Sequence, residues 1–341
     1  MSTNMRTSVL RGVKDLVLEE RPVPTPKPHE VLIKVTAVGT CGSDVHYYEH
    51  GRIGDFVVEK PIVLGHEPSG VVVGRGRGAT KHELGQRVSL EPGVPCLHCV
   101  QCRLGRYNLC PGMVFFATPP VDGAFCEYVT LHEEFAHAVP DSMSDEAAAL
   151  IEPLSVGVWS SRKARIAPGS RVLITGAGPI GLVALQAAKA FGATEVVVTD
   201  VRQHRLAVAS ELGATATVDV TAEPLAGVDF EPDVLIECSG FAPAIGEAIR
   251  KVGRAGRVVL VGMGGDEIPL PLGHVQTREL EVTGTFRYAN TWPTAIALAA
   301  SGEVDLDRLV THRFGLAQVE DALTIAQRDE TAIKPVVLPG S

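Results

Sequence analysis

Arg171–Asp200 reads RVLITGAGPIGLVALQAAKAFGATEVVVTD, and the rest of the chain is organised around it. An apolar run, Val172–Ile174, leads into the turn Gly176-Ala177-Gly178-Pro179-Ile180-Gly181. Apolar residues at helical spacing follow as far as Phe191, with Gly192 as a stop signal. A β-branched run, Val196–Thr199, then ends on Asp200. Strand, glycine turn, helix, strand and acid occur in the order of a dinucleotide-binding βαβ unit. Gly176 permits the sharp turn, Gly178 keeps a Cβ out of the path of a pyrophosphate, and Gly181 lets the helix pack closely on the strand. The helix N-terminus, with its free amides and partial positive charge, faces the phosphates. The competing reading is an ordinary glycine turn in an α/β core. The flanking elements and the placement of Asp200 favour the nucleotide site.

A chain of 341 residues suggests about two domains and is ample for a large core. Hydrophobic content of 45% and charged content of 21% are ordinary for a soluble globular protein. A net charge of −9 argues against a nucleic-acid partner and against an anionic membrane surface. The opening MSTNMRTSVLRG has no basic-then-apolar signal pattern, and no apolar run approaches a spanning helix. The expected location is the cytoplasm. Seven cysteines are too few for a disulfide scaffold in a chain of this length.

The prolines of RPVPTPKPHE favour an extended connector before a strand at Val31–Val38. Further short strands are expected around Val63, Val71–Val73, Phe125–Thr130 and Phe135–Val139, with His66 and Glu67 in a loop. Ser144, followed by Asp145 and Glu146, reads as a helix start. From about residue 154 to 283 strands alternate with helices, including Gln203–Leu212, Val234–Ile236 and Val258–Val261. This alternation implies a parallel, doubly wound sheet. Helices are expected at Thr291–Ala300 and Gln318–Gln327. A strand at Ile333–Leu338 carries Pro335, which suggests an edge position.

Two constellations carry metal chemistry. Cys96-x2-Cys99-x2-Cys102-x7-Cys110 places four thiolates around one tetrahedral ion, and thiolates suit Zn²⁺. Their lobe, PCLHCVQCRLGRYNLCP, has few apolar residues, so a metal would supply folding energy. An iron–sulfur cluster, disulfides and free thiols are the rivals, and the seven-residue final gap fits the cluster poorly. A site filled by four Cys is closed and noncatalytic. The second set is Cys41 with Gly65-His66-Glu67 and, in LIEPLSVGV, Glu152. Mixed Cys, His and carboxylate donors suit a zinc with one open position, although spacing alone does not join residues this far apart.

The segment GHEPSG at Gly65–Gly70, with Gly76 and Ala79 beyond, resembles the zinc signature of the medium-chain alcohol dehydrogenases. CGSDVHYYEHGRIG, LEPGVPCLHC, GRYNLCP, FFATPPVDGAF, LIEPLSVGV, VGMG and TFRYANTWP resemble the sorbitol (polyol) dehydrogenase branch. The resemblance covers nearly the whole chain. It implies an α/β architecture: a doubly wound Rossmann domain at 154–283, and a β-rich GroES-like catalytic domain at 1–153 and 284–341 with a structural-zinc lobe. It implies that Cys41, His66 and Glu67 hold a catalytic zinc with water as fourth ligand. Glu152 is then an alternative ligand or proton acceptor, and Ser43 and His46 form a proton relay. Cys96, Cys99, Cys102 and Cys110 would hold the structural zinc. Tyr47, Phe115, Thr118, Glu152, Arg287 and Tyr288 would line the substrate site. Gly176, Gly178, Pro179, Ile180, Gly181, Asp200, Arg205, Val261, Gly262 and Met263 would bind NAD.

The function implied is zinc-assisted transfer of hydride from a secondary alcohol of a polyol to NAD, giving a ketose. The alternative is a diol or amino-alcohol substrate, of the butanediol or threonine type. Asp200 at the end of the second strand favours ribose hydroxyls over a 2′-phosphate, and hence NAD over NADP. Arg202 and Arg205 read as solvated charges on a helix face, with softening of that preference as the other reading. The resemblance also implies a homotetramer, with a dimer as the alternative.

Overall fold

The Arg171–Asp200 stretch takes the conformation its pattern demands in the computed structural model, which describes residues 3–265 and 267–341. Strand Arg171–Thr175, helix Pro179–Ala190 and strand Glu195–Asp200 follow one another, and the two strands pair in parallel from Arg171↔Glu195 to Thr175↔Thr199. Six parallel strands make one sheet in the spatial order Ala216–Asp219, Glu195–Asp200, Arg171–Thr175, Val234–Glu237, Arg257–Leu260, Glu281–Gly284. Counted along the chain this is 3-2-1-4-5-6, the dinucleotide-binding order, with the order reversing beside Arg171–Thr175. Val172, Leu173 and Ile174 are fully buried. Strands covered on both faces read as continuous apolar runs for this reason.

This sheet belongs to one compact unit, Pro153–Asp305; the other comprises the chain up to Glu152 with Leu306–Ser341. Residues 284–305, which the resemblance assigns to the β-rich catalytic domain, cluster with the parallel sheet. Their contacts give the reason. Arg162 donates to the Asn290 carbonyl at 2.7 Å and to Thr294 Oγ1 at 2.8 Å, and Gln186 Oε1 accepts from the Asp305 amide at 2.6 Å. Trp292, at the start of helix Trp292–Ala300, is fully buried.

The first unit is β-rich. Its seven-stranded sheet runs Ala136–Ala138, Arg87–Leu90, Glu67–Arg75, Glu30–Gly39, Lys334–Leu338, Val310–Gly315, and Tyr128–His132 also pairs with Glu30–Gly39. A hairpin of Asn4–Gly12 and Asp15–Pro22 lies outside that sheet. The core gathers Val9, Ile33, Val72, Val88, Leu90, Phe125 and Val337. Ser144 caps helix Asp145–Ala149 as its sequence implies, accepting from the Ala147 amide at 2.9 Å.

The C-terminal strand Lys334–Leu338 is not an edge, contrary to the expectation from Pro335. It lies between Glu30–Gly39, antiparallel, and Val310–Gly315, parallel. A proline has no amide hydrogen to give a ladder, but its carbonyl can still accept. The Pro335 carbonyl does so, from the Thr40 amide at 3.0 Å and from Thr40 Oγ1 at 3.1 Å. Among the described residues no helix is long and apolar enough to cross a membrane.

Candidate metal centres and nucleotide-binding turn

Sheet register assembles the first centre. Gly39, the last residue of strand Glu30–Gly39, pairs with Glu67, the first residue of Glu67–Arg75. Cys41, two residues beyond Gly39, is thereby carried to His66 and Glu67. One donor atom from each of Cys41, His66 and Glu67 lies within 4.8 Å of the others. Glu67 opens a strand and does not sit in a loop, as the sequence pattern suggests; pairing with Gly39 orders it. Gly39 has a specific task, since a Cβ there would collide with the Glu67 carboxylate.

Two residues that motif reading passes over hold this set in place. Asp44, fully buried, accepts from the Cys41 amide at 3.0 Å and from the Gly65 amide at 2.9 Å, and stands 3.6 Å from His66 Nδ1. Burial disfavours an imidazolium, yet Asp44 and Cys41 outweigh it and raise the His66 pKa well above its usual value. Lys334 is 2% exposed and donates to Glu67 Oε1 at 2.7 Å and to the Thr40 carbonyl at 2.8 Å. Burial opposes its charge, while Glu67, Cys41 and Glu152 raise its pKa. The Cys-x-x-Asp spacing of a helix cap signals Asp44. Lys334 carries only a weak signal, one cation in an apolar run.

Glu67 Oε2 is buried and has no hydrogen-bond partner. An ionised oxygen left so is costly unless a cation completes it. A thiolate, an imidazole and a carboxylate on one side of that cation form a donor set that fits zinc with a position to spare. Glu152 is buried in the first turn of helix Ile151–Ala164. Ser43, His46 and Tyr47 lie on helix Gly42–His50; Tyr47 is buried, and the exposed His46 meets the His50 ring edge-on at 4.6 Å. Phe115 packs against His66 with ring centroids 5.9 Å apart, and Thr118 closes the following turn on the Phe115 carbonyl. Arg287 and Tyr288 belong to the second unit. There Arg287 covers the Phe286 ring and Tyr288 packs on Trp292 at 5.0 Å.

The second centre is local. The sulfurs of Cys96, Cys99, Cys102 and Cys110 all lie within 4.8 Å of one another. The Cys96–Cys102 and Cys99–Cys102 separations are 4.0 and 3.4 Å, close to the ~3.8 Å edge of a zinc tetrathiolate with bonds of about 2.3 Å. These separations are too long for disulfides, and all four thiols are free. The amides of Cys96, Cys99 and Cys102 point at Cys110, Cys96 and Cys99 sulfurs in turn. Amides of His98 and Cys99 pull the Cys96 thiol down to about 6, while burial and the neighbouring sulfurs push Cys102 up to about 12. Four sulfurs this close ionise together only around a cation.

In the second unit, Gly176 has φ +84, outside the range of ordinary side chains, and a Cβ on Gly181 would strike the Gly176 carbonyl. Gly178 caps helix Pro179–Ala190, with Pro179 at its start and Ile180 next. The cradle therefore fits a pyrophosphate. Asp200 Oδ2 accepts from the Ala177 amide at 2.6 Å, tying the second strand to the turn. Val261 and Gly262 amides both reach the Glu237 carbonyl at 2.8 Å, and Met263 beyond them is 69% exposed. Arg202 and Arg205 are not solvated helix-face charges, contrary to the expectation from sequence. Both are only partly exposed, and Arg202 Nη1 and Arg205 Nε are buried without partners. Arg202 is the cap of helix Gln203–Glu211, and Arg205 lies in its first turn.

Family comparison agrees with this geometry. Residues 27–141 match the alcohol dehydrogenase GroES-like domain, and residues 179–301 match the zinc-binding dehydrogenase domain. The chain is 44% identical to sorbitol dehydrogenase of Bacillus subtilis over 344 residues, covering 98% of each chain. It is 47% identical to sorbitol dehydrogenase of Bos taurus over 328 residues, covering 94% of this chain and 92% of that one. The crystal structure of an Escherichia coli oxidoreductase of unknown specificity superposes with a TM-score of 0.94 at 37% identity, covering 98% of this chain and 99% of that one.

Proposed function

The chain belongs to the zinc-binding dehydrogenases of the medium-chain alcohol dehydrogenase superfamily, on the sorbitol dehydrogenase branch, and from that premise we propose how its residues do their work. It is a zinc- and NAD-dependent oxidoreductase that takes hydride from a secondary alcohol of a polyol and yields a ketose. Sorbitol, xylitol and galactitol represent the substrate class.

The observation that carries the assignment of roles is the Cys41, His66 and Glu67 cluster with its orphaned Glu67 oxygen. When bound, zinc lowers the pKa of an alcohol and the nicotinamide accepts its hydride. Cys41, His66 and Glu67 hold the metal. Asp44 fixes the Cys41 backbone and faces His66, and Lys334 fixes one Glu67 oxygen. Glu152 takes the hydroxyl proton, and Ser43 and His46 pass it to solvent along the exposed side of their helix. Tyr47, Phe115 and Thr118 contact the substrate; Arg287 and Tyr288 are assigned to substrate on resemblance alone. Gly176, Gly178, Pro179, Ile180 and Gly181 seat the pyrophosphate, Asp200 and Arg205 the adenosine end, and Val261, Gly262 and Met263 the nicotinamide end. Cys96, Cys99, Cys102 and Cys110 hold a second, structural zinc. The β-rich unit is the catalytic domain. The working form is a cytoplasmic homotetramer.

A panel of sorbitol, xylitol, galactitol, threonine and butanediol with NAD tests the reading. Turnover of at least one polyol is expected, with two zincs per chain by metal analysis. No polyol turnover overturns the substrate class, and turnover of butanediol or threonine alone selects the diol or amino-alcohol class. Light scattering tests the tetramer.

A further inference from the structure

We propose that Arg202 and Arg205 form a seat for a phosphate on the adenosine 2′-oxygen, so that the nucleotide site takes NADP as well as NAD. The proposal rests on the reading of Arg171–Asp200 as a dinucleotide site and extends it to the cofactor's second form.

Asp200 is the residue expected to exclude that phosphate, but its carboxylate is already committed. Oδ2 accepts from the Ala177 amide at 2.6 Å, and Oδ1 accepts from the Val201 amide at 2.8 Å and the Arg202 amide at 2.9 Å. Three backbone amides thus share its negative charge, and it braces the glycine turn. Beside it stand two guanidinium groups with unmet demand. Arg202 Nη1 and Arg205 Nε are buried and unpartnered, as is His204 Nε2 between them in sequence. A buried guanidinium nitrogen without an acceptor is costly, so this pair is incomplete as it stands. Burial lowers the Arg205 pKa; Asp200 opposes this, and the like charge of Arg202 adds a smaller push in the direction of burial.

The location identifies the ligand. Arg205 Nη1 lies 3.7 Å from where a Cβ on Gly178 would stand, at the turn that cradles the pyrophosphate. Two cations stand at the end of the strand that carries the committed Asp200, and Asp219, its partner on the next strand, is held by Gln203 and Thr221. A ribose hydroxyl brings one polar oxygen to such a site. A phosphate monoester brings about two negative charges and three acceptor oxygens, matched to the planar forks of two arginines.

Calorimetry on the full-length chain compares adenosine 2′,5′-bisphosphate with 5′-AMP. The bisphosphate is expected to bind at least about tenfold more tightly, a preference that falls with salt. Arg202→Ala is expected to erase most of this ratio, and Arg202→Lys to retain part of it. NADP turnover with a polyol should follow the same order. Equal or weaker binding of the bisphosphate in the wild-type chain overturns the proposal, as does an unchanged ratio in Arg202→Ala. Failure of the dinucleotide reading itself looks different, because then neither 5′-AMP nor NAD binds.

Discussion

The two cysteine-bearing centres are built in opposite ways. The lobe of Cys96, Cys99, Cys102 and Cys110 draws all its donors from fifteen consecutive residues, and its amide-to-sulfur bonds are equally local. It has little apolar cover: Leu97, Val100 and Leu104 are 61%, 69% and 57% exposed. The Cys41 centre draws on residues as distant as Lys334, and each is placed by a sheet of the first unit. Its surroundings are buried and its donors are of three kinds. A metal in the four-cysteine lobe compensates for a missing core. A metal in the Cys41 centre sits on a core that exists without it, and so its coordination is free to serve chemistry.

That contrast can be broken by experiment. Cys99→Ser should have the largest effect on stability, because structural zinc supplies on the order of 10 kcal/mol to small metal-dependent folds. One zinc is lost and the 93–115 segment becomes cleavable in limited proteolysis; a variant as protease-resistant as the parent would show that the lobe does not depend on metal. Cys41→Ser should act on turnover instead. Loss on the order of ten-thousandfold, about 5.5 kcal/mol, is expected, with an unfolding midpoint near that of the parent. A large fall in that midpoint would erase the distinction between the centres.

Lys334→Met tests whether the Cys41 centre is organised by charge. Removing one partner of a buried ion pair costs about 3 kcal/mol or more in denaturant unfolding, and Lys334→Arg should recover part of it. A cost below about 0.5 kcal/mol would mean that Glu67 does not need the pairing. The smallest effect concerns Tyr48, which anchors the Cys41-bearing helix to Glu320. Burial, then that hydrogen bond, push its pKa up to about 12. The folded chain keeps the phenolic proton where the unfolded chain releases it. The stabilisation is therefore complete below about pH 10 and lost as pH climbs towards about 12. Tyr48→Phe should flatten that part of the stability curve, and an unaltered slope there would assign it to other groups.

Much of this architecture is legible in the sequence, for identifiable reasons. The βαβ unit is readable because a parallel strand buried on both faces is a plain apolar run, and because a turn at φ +84 requires glycine. Cys96 to Cys110 is readable because one ion fixes the spacing of its ligands. The C-terminal strand reads as an edge and is not one, because a proline's missing donor matters only if the neighbouring strand asks for it. Arg202 and Arg205 read as solvated because polar residues at a helix start usually are, and only packing shows that these are not. Lys334 and Gly39 carry almost no signal, since a lysine in a strand and a glycine at its end have many ordinary explanations.

Elements whose information is local are written in the chain itself: the glycine turn, the alternation that builds the parallel sheet, and the four-cysteine lobe. Spacing did not join Cys41 to His66 and Glu67; sheet register brings them together with the buried Lys334, and packing turns Asp200 to the Ala177 amide with Arg202 and Arg205 beside it. The physical reason is range. Backbone preferences and ligand spacing act over a few residues, whereas sheet register and burial set the distance between charges far apart in the chain.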